Sequence, residues 1–306
     1  MLTIGLPKSL FYFQHCSLWT DFFQSIGCNV VVSEDTNKEI LDYGVKCCSN
    51  ETCLPVKVFH GHVFSLRNKA DYIFIPRYTS LDKNEYTCPK FCGLPDLTLL
   101  NLKKQVNIIE VKINMDKHPE EILESLRLMA GILKIESDVI VKAYYDAVEK
   151  YIQDRDAEAK LDRVDASNNS RLGGMLVLGH PYMIHDRFLS MGLEEKLNKR
   201  NITVYTPKNV KHEVKRRNAY PYQGKVFWDV GLDILGTAFA LAETGKIKGV
   251  IYLTPFACGV DSFVMEFIER RYKSNYNIPL LKLTIDEHTG EAGFNTRLEA
   301  FLDMVG

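Results

Sequence analysis

The sequence predicts an α/β protein made of two similar three-layer domains, and three observations lead there. Short apolar, β-branched runs alternate with amphipathic helical stretches, the order expected of strands joined through helices in mostly parallel sheets. The alternation occurs twice along 306 residues, ample chain for two hydrophobic cores. A polar stretch without periodicity, residues 166–172 (ASNNSRL), precedes the second block. The chain therefore divides into an N-terminal domain over 1–115, connecting helices and a linker over 116–170, and a C-terminal domain over 171–306.

In the first block the candidate strands are 2–5 (LTIG), 29–33 (NVVVS), 71–75 (DYIFI) and 107–113 (NIIEVKI), with helices over 8–26, 35–47, 54–68 and 94–102. The strand from Asp71 ends at Pro76-Arg77. Pro119 sits where a first helical turn begins, and Ile122, Leu123, Leu126, Met129, Ala130 and Leu133 follow at helical spacing. Ser137 and Asp138 can cap a second connecting helix whose apolar stripe is Val141, Tyr144, Tyr145, Val148 and Ile152. The second block offers strands at 174–179, 202–205, 248–253 and 280–285, with helices over 186–199, 229–244, 261–274 and 295–305.

Composition narrows the function classes. With 38 basic against 39 acidic side chains, the net charge of -1 gives no reason to expect a nucleic acid or an anionic membrane as partner. No apolar run approaches a membrane span and no secretory leader is visible, so a cytoplasmic protein is expected. Eight cysteines stand out, seven of them within the first 92 residues. In a reducing compartment, clustered thiols favour metal ligation or catalysis over disulfides.

Ligands of open α/β sheets collect beyond the carboxyl ends of the strands. Cys88 and Cys92 fall in a Gly- and Pro-containing stretch after strand 71–75, expected to be a loop, and Cys258 directly follows strand 248–253. Cys53, two residues before Pro55, suits the opening turn of a helix, where free N–H groups favour a thiolate. Soft thiolates from several loops suit an iron–sulfur cluster or zinc. Only the C-x3-C of Cys88 and Cys92 approaches the tight pairs of structural zinc sites, and the wide separation from Cys53 to Cys258 points instead to a cofactor held between domains. Three thiolates on a four-iron cubane leave one iron open to substrate. Cys48 stands at C-x4-C spacing from Cys53 with Cys47 beside it, so one of the two can ligate while the other packs. Cys16 and Cys28 read as small buried hydrophobes.

Other groups gather at strand exits. Asp286-Glu287-His288 follows strand 280–285, and Glu287 with His288 could move protons to a substrate, or simply hold the loop. His180-Pro-Tyr182 leaves strand 174–179, where His180 and Tyr182 could tune a cluster through hydrogen bonds or pack as an ordinary loop base. His60 and His62 lie two apart in a helix and face different ways, against joint ligation. The basic run Lys208, Lys211, Lys215, Arg216 and Arg217 reads as a solvated face. No P-loop and no G-x-G-x-x-G fingerprint occurs, so ATP hydrolysis and dinucleotide binding are not expected of this chain.

The stretches Cys53-Leu-Pro-Val-Lys-Val-Phe-His-Gly-His62, Asp71-Tyr-Ile-Phe-Ile-Pro-Arg77, Cys88-Pro-Lys-Phe-Cys-Gly-Leu-Pro-Asp96 and Asp286-Glu-His-Thr-Gly-Glu-Ala-Gly293 resemble the acyl-CoA dehydratase activase-related family. That family is akin to the cluster-bearing component of 2-hydroxyacyl-CoA dehydratases and to the double-cubane-cluster proteins. The resemblance implies two Rossmann-like or flavodoxin-like domains with an inter-domain iron–sulfur cluster, either 4Fe-4S or a double-cubane 8Fe-9S centre. It implies Cys53, Cys88 and Cys258 as the best-matched ligands, followed by Cys48 and Cys92, and Cys47 as well for a double cubane. A separate ATP-hydrolysing iron–sulfur activator protein is the implied electron donor, with a small-molecule or acyl-CoA substrate and a homo- or hetero-oligomer allowed. The implied activity is an iron–sulfur reductase or acyl-CoA dehydratase component of an anaerobe. The alternative is a non-catalytic, cluster-carrying electron-transfer or scaffold module.

Overall fold

The computed structural model describes residues 1–103, 105–159, 174–222 and 224–306. The polar stretch 166–172 lies outside the described residues. The chain forms two units, Met1–Arg155 and Asp156–Gly306. In the first, strand β1 (Thr3–Leu6) leads through helix α1 (Tyr12–Ser25) to β2 (Asn29–Val32), α2 (Lys38–Cys47), α3 (Leu54–Leu66) and β3 (Tyr72–Phe74). The chain continues through β4 (Arg77–Asp82), β5 (Glu85–Tyr86), α4 (Pro89–Cys92), α5 (Leu94–Asn101), β6 (Ile108–Ile109) and β7 (Lys112–Asn114) to two long helices, α6 (Glu121–Leu133) and α7 (Ser137–Ala159).

The main sheet runs β2-β1-β3-β6 with every pair parallel. Counted along the chain this is the order second, first, third, fourth, which reverses direction between β1 and β3. The strand pair β3 and β6 does not stop at Pro76. Pro76 has no N–H and interrupts the ladder, but Ile75 N–H bonds Ile109 O and Arg77 N–H bonds Val111 O, each at 2.9 Å. Pairing then resumes as β4 with β7, and β4 turns back into β5 to make a second small sheet.

Trp19 and Phe23 of α1 pack on Phe74, with ring centroids 4.4 and 5.0 Å apart, and Trp19 also meets Tyr144 of α7. This aromatic wall selects the buried face of α7, which is Ile140, Tyr144 and Ala147. Tyr145 and Ile152, expected in the stripe, are 53% and 46% exposed. Helices α2 and α3 cross closely at Gly44 and Gly61, where a Cβ would overlap the carbonyl oxygens of Lys57 and Ile40 respectively. Their crossing fixes the short connection that carries Cys48 and Cys53.

The second unit comprises β8 (Gly174–Leu178), α8 (Pro181–His185), α9 (Leu193–Asn198), β9 (Thr203–Tyr205), α10 (His212–Ala219), α11 (Asp229–Ala242), β10 (Ile247–Pro255), α12 (Gly259–Arg271), β11 (Leu280–Ile285) and α13 (Glu291–Val305). Its sheet order is β11-β10-β8-β9, all parallel, the same second-first-third-fourth order as in the first unit. Leu176, Tyr252, Leu235, Phe239, Val264 and Ile268 are among its core residues.

Two expectations are corrected here. The helix expected over 186–199 is shortened to α9 (Leu193–Asn198), because Asp186 Oδ1 accepts from the N–H groups of Phe188 and Leu189 at 2.9 and 3.1 Å, and Met191 and Gly192 turn left-handed at φ 51° and 64°. The basic run is only partly solvated. Lys215 and Arg216 face inward on α10 and pair with Asp233 of α11, Lys215 Nζ to Oδ2 at 2.7 Å and Arg216 Nη1 to Oδ1 at 2.5 Å. No helix among the described residues is long and apolar enough to cross a membrane.

Replacing Gly44 or Gly61 by alanine should force α2 and α3 apart and lower stability by about 1–3 kcal/mol each, read as a lower urea midpoint. An unchanged midpoint in both variants contradicts the close crossing.

Candidate metal centre

In the second unit the site is assembled where adjacent strands β8 and β10 end, the point at which the winding reverses. Pro181 restricts the residue before it, so His180 is extended (φ -62°, ψ 146°) and stands at the start of α8. Gly179 has φ 148°, and a Cβ there would lie 2.5 Å from the Leu253 carbonyl oxygen, so glycine lets the exit of β8 lie against β10. Just after β10, Ala257 adopts φ 63° and delivers Cys258 as the N-cap of α12. The Cys258 sulfur accepts from the backbone N–H of Asp261 at 3.5 Å, a capping arrangement in which cysteine takes the place of serine.

Three different donors converge there. Cys258 Sγ is 4.0 Å from His180 Nε2, and His180 Nε2 is 3.3 Å from Asp261 Oδ1. All three donor atoms lie within 4.8 Å of one another, the spread of ligands around a single ion. Tyr252 of β10 donates its hydroxyl to Asp261 Oδ1 at 2.9 Å, and Tyr182 stacks on the His180 ring at 4.9 Å and 11°. Buried His180 Nδ1 and Asp261 Oδ2 have no hydrogen-bond partner among the described residues.

Burial works against the imidazolium of His180, yet the Asp261 carboxylate and then the Cys258 sulfur outweigh it, and its pKa stands well above the ordinary histidine value. Burial, reinforced by Asp261, pushes the Tyr252 phenol up strongly. Asp229, the first residue of α11, is pushed up to about 7 by burial, with the charge of Asp233 adding to it and those of Arg216 and His180 opposing it.

The other four proposed thiol ligands lie in the first unit. Cys53 is the N-cap of α3 and Cys88 the N-cap of α4, both extended at ψ 148° and 136°. The stretch expected to be a loop at Cys88 and Cys92 is a short helix, because Pro89 supplies a ready first turn and leaves Cys92 on its last residue. Cys92 Sγ accepts from Thr79 Oγ1 at 3.3 Å, and its carbonyl accepts from Arg77, which also pairs with Asp96 and Glu110. Cys48 Sγ accepts from Asn101 Nδ2 at 3.6 Å, and the same amide meets His60 Nε2 at 3.2 Å. Cys47 and Cys48 sulfurs are 3.9 Å apart, and their contact pushes the Cys48 thiol up and the Cys47 thiol down. His62, bonded by Ser33 and Thr36 at 2.9 Å each, is lowered to about 4 by burial. None of the eight cysteines is in a disulfide; Cys28 is buried and Cys16 half-buried.

Glu287 and His288 follow β11, whose exit neighbours that of β10. Asp286 Oδ1 accepts from the N–H of His288 at 2.9 Å and the hydroxyl of Thr289 at 2.7 Å, which fixes the loop. Glu287 is half-buried and His288 exposed. The structure thus brings Cys258, His180 and Tyr182 together in one unit and sets Cys48, Cys53, Cys88 and Cys92 at helix ends in the other. Sequence reasoning missed Asp261, Tyr252, Asn101 and Thr79. Asp261 was findable, three residues after an N-cap cysteine where a capping box places its acid; the other three carry no local signal.

Residues 3–210 match the CoA enzyme activase uncharacterised domain, and residues 235–305 match the D-component of 2-hydroxyglutaryl-CoA dehydratase. No curated protein matches the chain. Among solved structures, a mutant of the laminin-binding adhesin Lmb from Streptococcus agalactiae shares 12% identity over 100% of both chains, with a TM-score of 0.31. The SBP FpvC from Pseudomonas aeruginosa in complex with Mn2+ shares 12% identity over 99% of this chain and 96% of that one, at 0.31. The periplasmic zinc-binding protein TroA from Treponema pallidum shares 8% over 99% and 97%, at 0.30. Likeness of this degree carries no argument.

Asp261→Asn, which strips the buried imidazole of its counter-charge, should cost about 3 kcal/mol in denaturant unfolding, and Tyr252→Phe about 1 kcal/mol. Equal stability of Asp261→Asn and wild type contradicts the ion pair. Asp229, whose native pKa exceeds its unfolded value, binds a proton on folding between about pH 4 and 7, so it weakens the fold as pH rises through that window. Asp229→Asn should therefore be more stable than wild type at pH 8, with the difference gone near pH 3; a pH-independent difference contradicts the raised pKa.

Proposed function

We propose, from the premise that this chain belongs to the CoA enzyme activase uncharacterised domain family, that it is an iron–sulfur protein of the 2-hydroxyacyl-CoA dehydratase or double-cubane type. The relationship to 2-hydroxyacyl-CoA dehydratase components rests on both matched segments. The observation that carries the finer reading is the condition of the thiols. Cys48, Cys53, Cys88, Cys92 and Cys258 are all outside disulfides and partly exposed, and the sulfurs of Cys48, Cys92 and Cys258 accept hydrogen bonds from Asn101, Thr79 and Asp261. Soft sulfur donors with hydrogen bonds aimed at them fit a cluster, whose potential such bonds tune.

In this reading Cys53, Cys88 and Cys258, with Cys48 and Cys92, are the ligands of a 4Fe-4S cluster, and Cys47 joins them for an 8Fe-9S double cubane. Bound there, the cluster supplies low-potential one-electron chemistry. The chain's own groups do the rest. Asp261 and the stacked ring of Tyr182 hold His180 with Nε2 beside the Cys258 sulfur. Glu287 and His288, at the exit of β11, exchange protons with a small or acyl-CoA substrate. Electrons come from a separate ATP-hydrolysing iron–sulfur activator, in keeping with a sequence that contains no P-loop.

A second reading is favoured by one observation, the convergence of His180, Cys258 and Asp261 within 4.8 Å, which suits a single zinc ion. Anaerobic purification followed by iron, sulfide and zinc analysis decides. Iron with sulfide is expected, about four of each per chain for a single cubane and about eight irons for a double cubane. Stoichiometric zinc without sulfide overturns the cluster. Cys53→Ala, Cys88→Ala and Cys258→Ala should each lose iron while Cys16→Ala keeps it, and equal iron in all four contradicts the ligand set.

A further inference from the structure

The first unit has a cavity that none of these roles uses. It lies where β1 and β3 end, the reversal point of that sheet, and has a volume of about 40 Å³. Leu6, Phe11, Trp19, Phe59, Phe74 and Leu94 supply most of its wall. Its polar groups are the hydroxyls of Ser9, Tyr12 and Tyr78 and the thiol of Cys16, and Tyr78 Oη already accepts from Trp19 Nε1 at 2.9 Å. No lysine, arginine, histidine or acid lines it.

Position ties the cavity to the thiols. Phe59 comes from α3, the helix that Cys53 opens, and Leu94 comes two residues after Cys92. Phe11 rests on Phe91, between Cys88 and Cys92, with ring centroids 4.7 Å apart. The loop entering the cavity holds Leu10 in the left-handed region at φ 52°, a costly conformation for a branched side chain, although Leu10 is 1% exposed and fully packed.

We propose that this cavity receives the uncharged, apolar end of a short acyl chain, a reading that rests on the acyl substrate proposed above. A carboxylate or phosphate there would lie buried with no cation to meet it. Water is a poor occupant, since it needs two to four polar partners and most of the wall is hydrocarbon. One water needs about 10–15 Å³ of such space, so a cavity of about 40 Å³ holds the last few carbons of a short acyl chain while the thioester and its coenzyme stay outside.

Trp19 lines the cavity and is one of only two tryptophans, so in a Trp228→Phe background its emission reports occupancy. The full chain is titrated with butyryl-N-acetylcysteamine, a neutral short thioester, and with butyrate, its iron content being measured in parallel. A saturable change is expected with the thioester, and binding about tenfold or more weaker with butyrate. Cys16→Leu, which fills the cavity, should abolish the response. Phe59→Leu, which enlarges it, should shift preference toward the hexanoyl thioester and serves if Cys16→Leu loses its near-ultraviolet circular dichroism. No saturable response, equal affinity for butyrate, or chain-length preference unchanged in Phe59→Leu overturns the proposal. A chain that carries iron and sulfide but ignores the thioester sinks this inference alone; one that binds the thioester but never carries a cluster sinks only the cluster.

Discussion

A parallel sheet sends the carboxyl end of every strand to one edge, and each unit reverses its winding between its first and third strands. The connections leaving those two strands diverge, so a crevice opens between them. In the second unit the crevice receives His180 from β8 and Cys258 from β10, and register places Leu178 opposite Tyr252 just below. In the first unit the equivalent exits supply Pro7 to Leu10 and Pro76 to Tyr78, and an apolar cavity forms instead. One winding rule thus creates two places, and the residue types found there give them different chemistry.

Charge separates the two places further. Asp261 is fully buried, and an isolated carboxylate in that position would be expensive. Its partners are the Tyr252 hydroxyl and the His180 ring, whose pKa it raises beside the Cys258 sulfur. The first unit treats its thiols differently. Cys48 and Cys92 meet an amide and a hydroxyl, both neutral, and burial lowers the pKa values of His60 and His62 nearby. The Cys258 sulfur therefore stands beside ionisable groups, whereas the sulfurs of Cys48 and Cys92 accept hydrogen bonds from neutral ones.

The α/β class with parallel sheets was legible because β-branched runs and helical stripes differ in period, and Cys53 at a helix start was legible because Pro55 follows it. Residues around Pro76 were not. A proline reads as a strand end, yet Ile75 and Arg77 keep the ladder to the neighbouring strand on both sides of it. The buried face of α7 was misjudged at Tyr145 because the aromatic wall of α1, distant in sequence, chooses between faces of similar polarity. Lys215 and Arg216 look like a solvated run until Asp233 arrives from the next helix. Asn101, some fifty residues from Cys48, is invisible for the same reason: its partner is set by tertiary packing, not by spacing.

Donor spacing also bears on what the thiols hold. Ligands of one metal ion must converge within a single coordination sphere, whereas thiolates on a cubane bind different irons and stand farther apart. Among the described residues the group of three donors within 4.8 Å mixes nitrogen, sulfur and oxygen, and its only cysteine is Cys258. No three donors of the first unit approach one another so closely among the described residues. A closed zinc site made from Cys48, Cys53, Cys88 and Cys92 would require that convergence. The convergence that a single ion requires is met in the second unit by Cys258 and its two buried neighbours, His180 and Asp261.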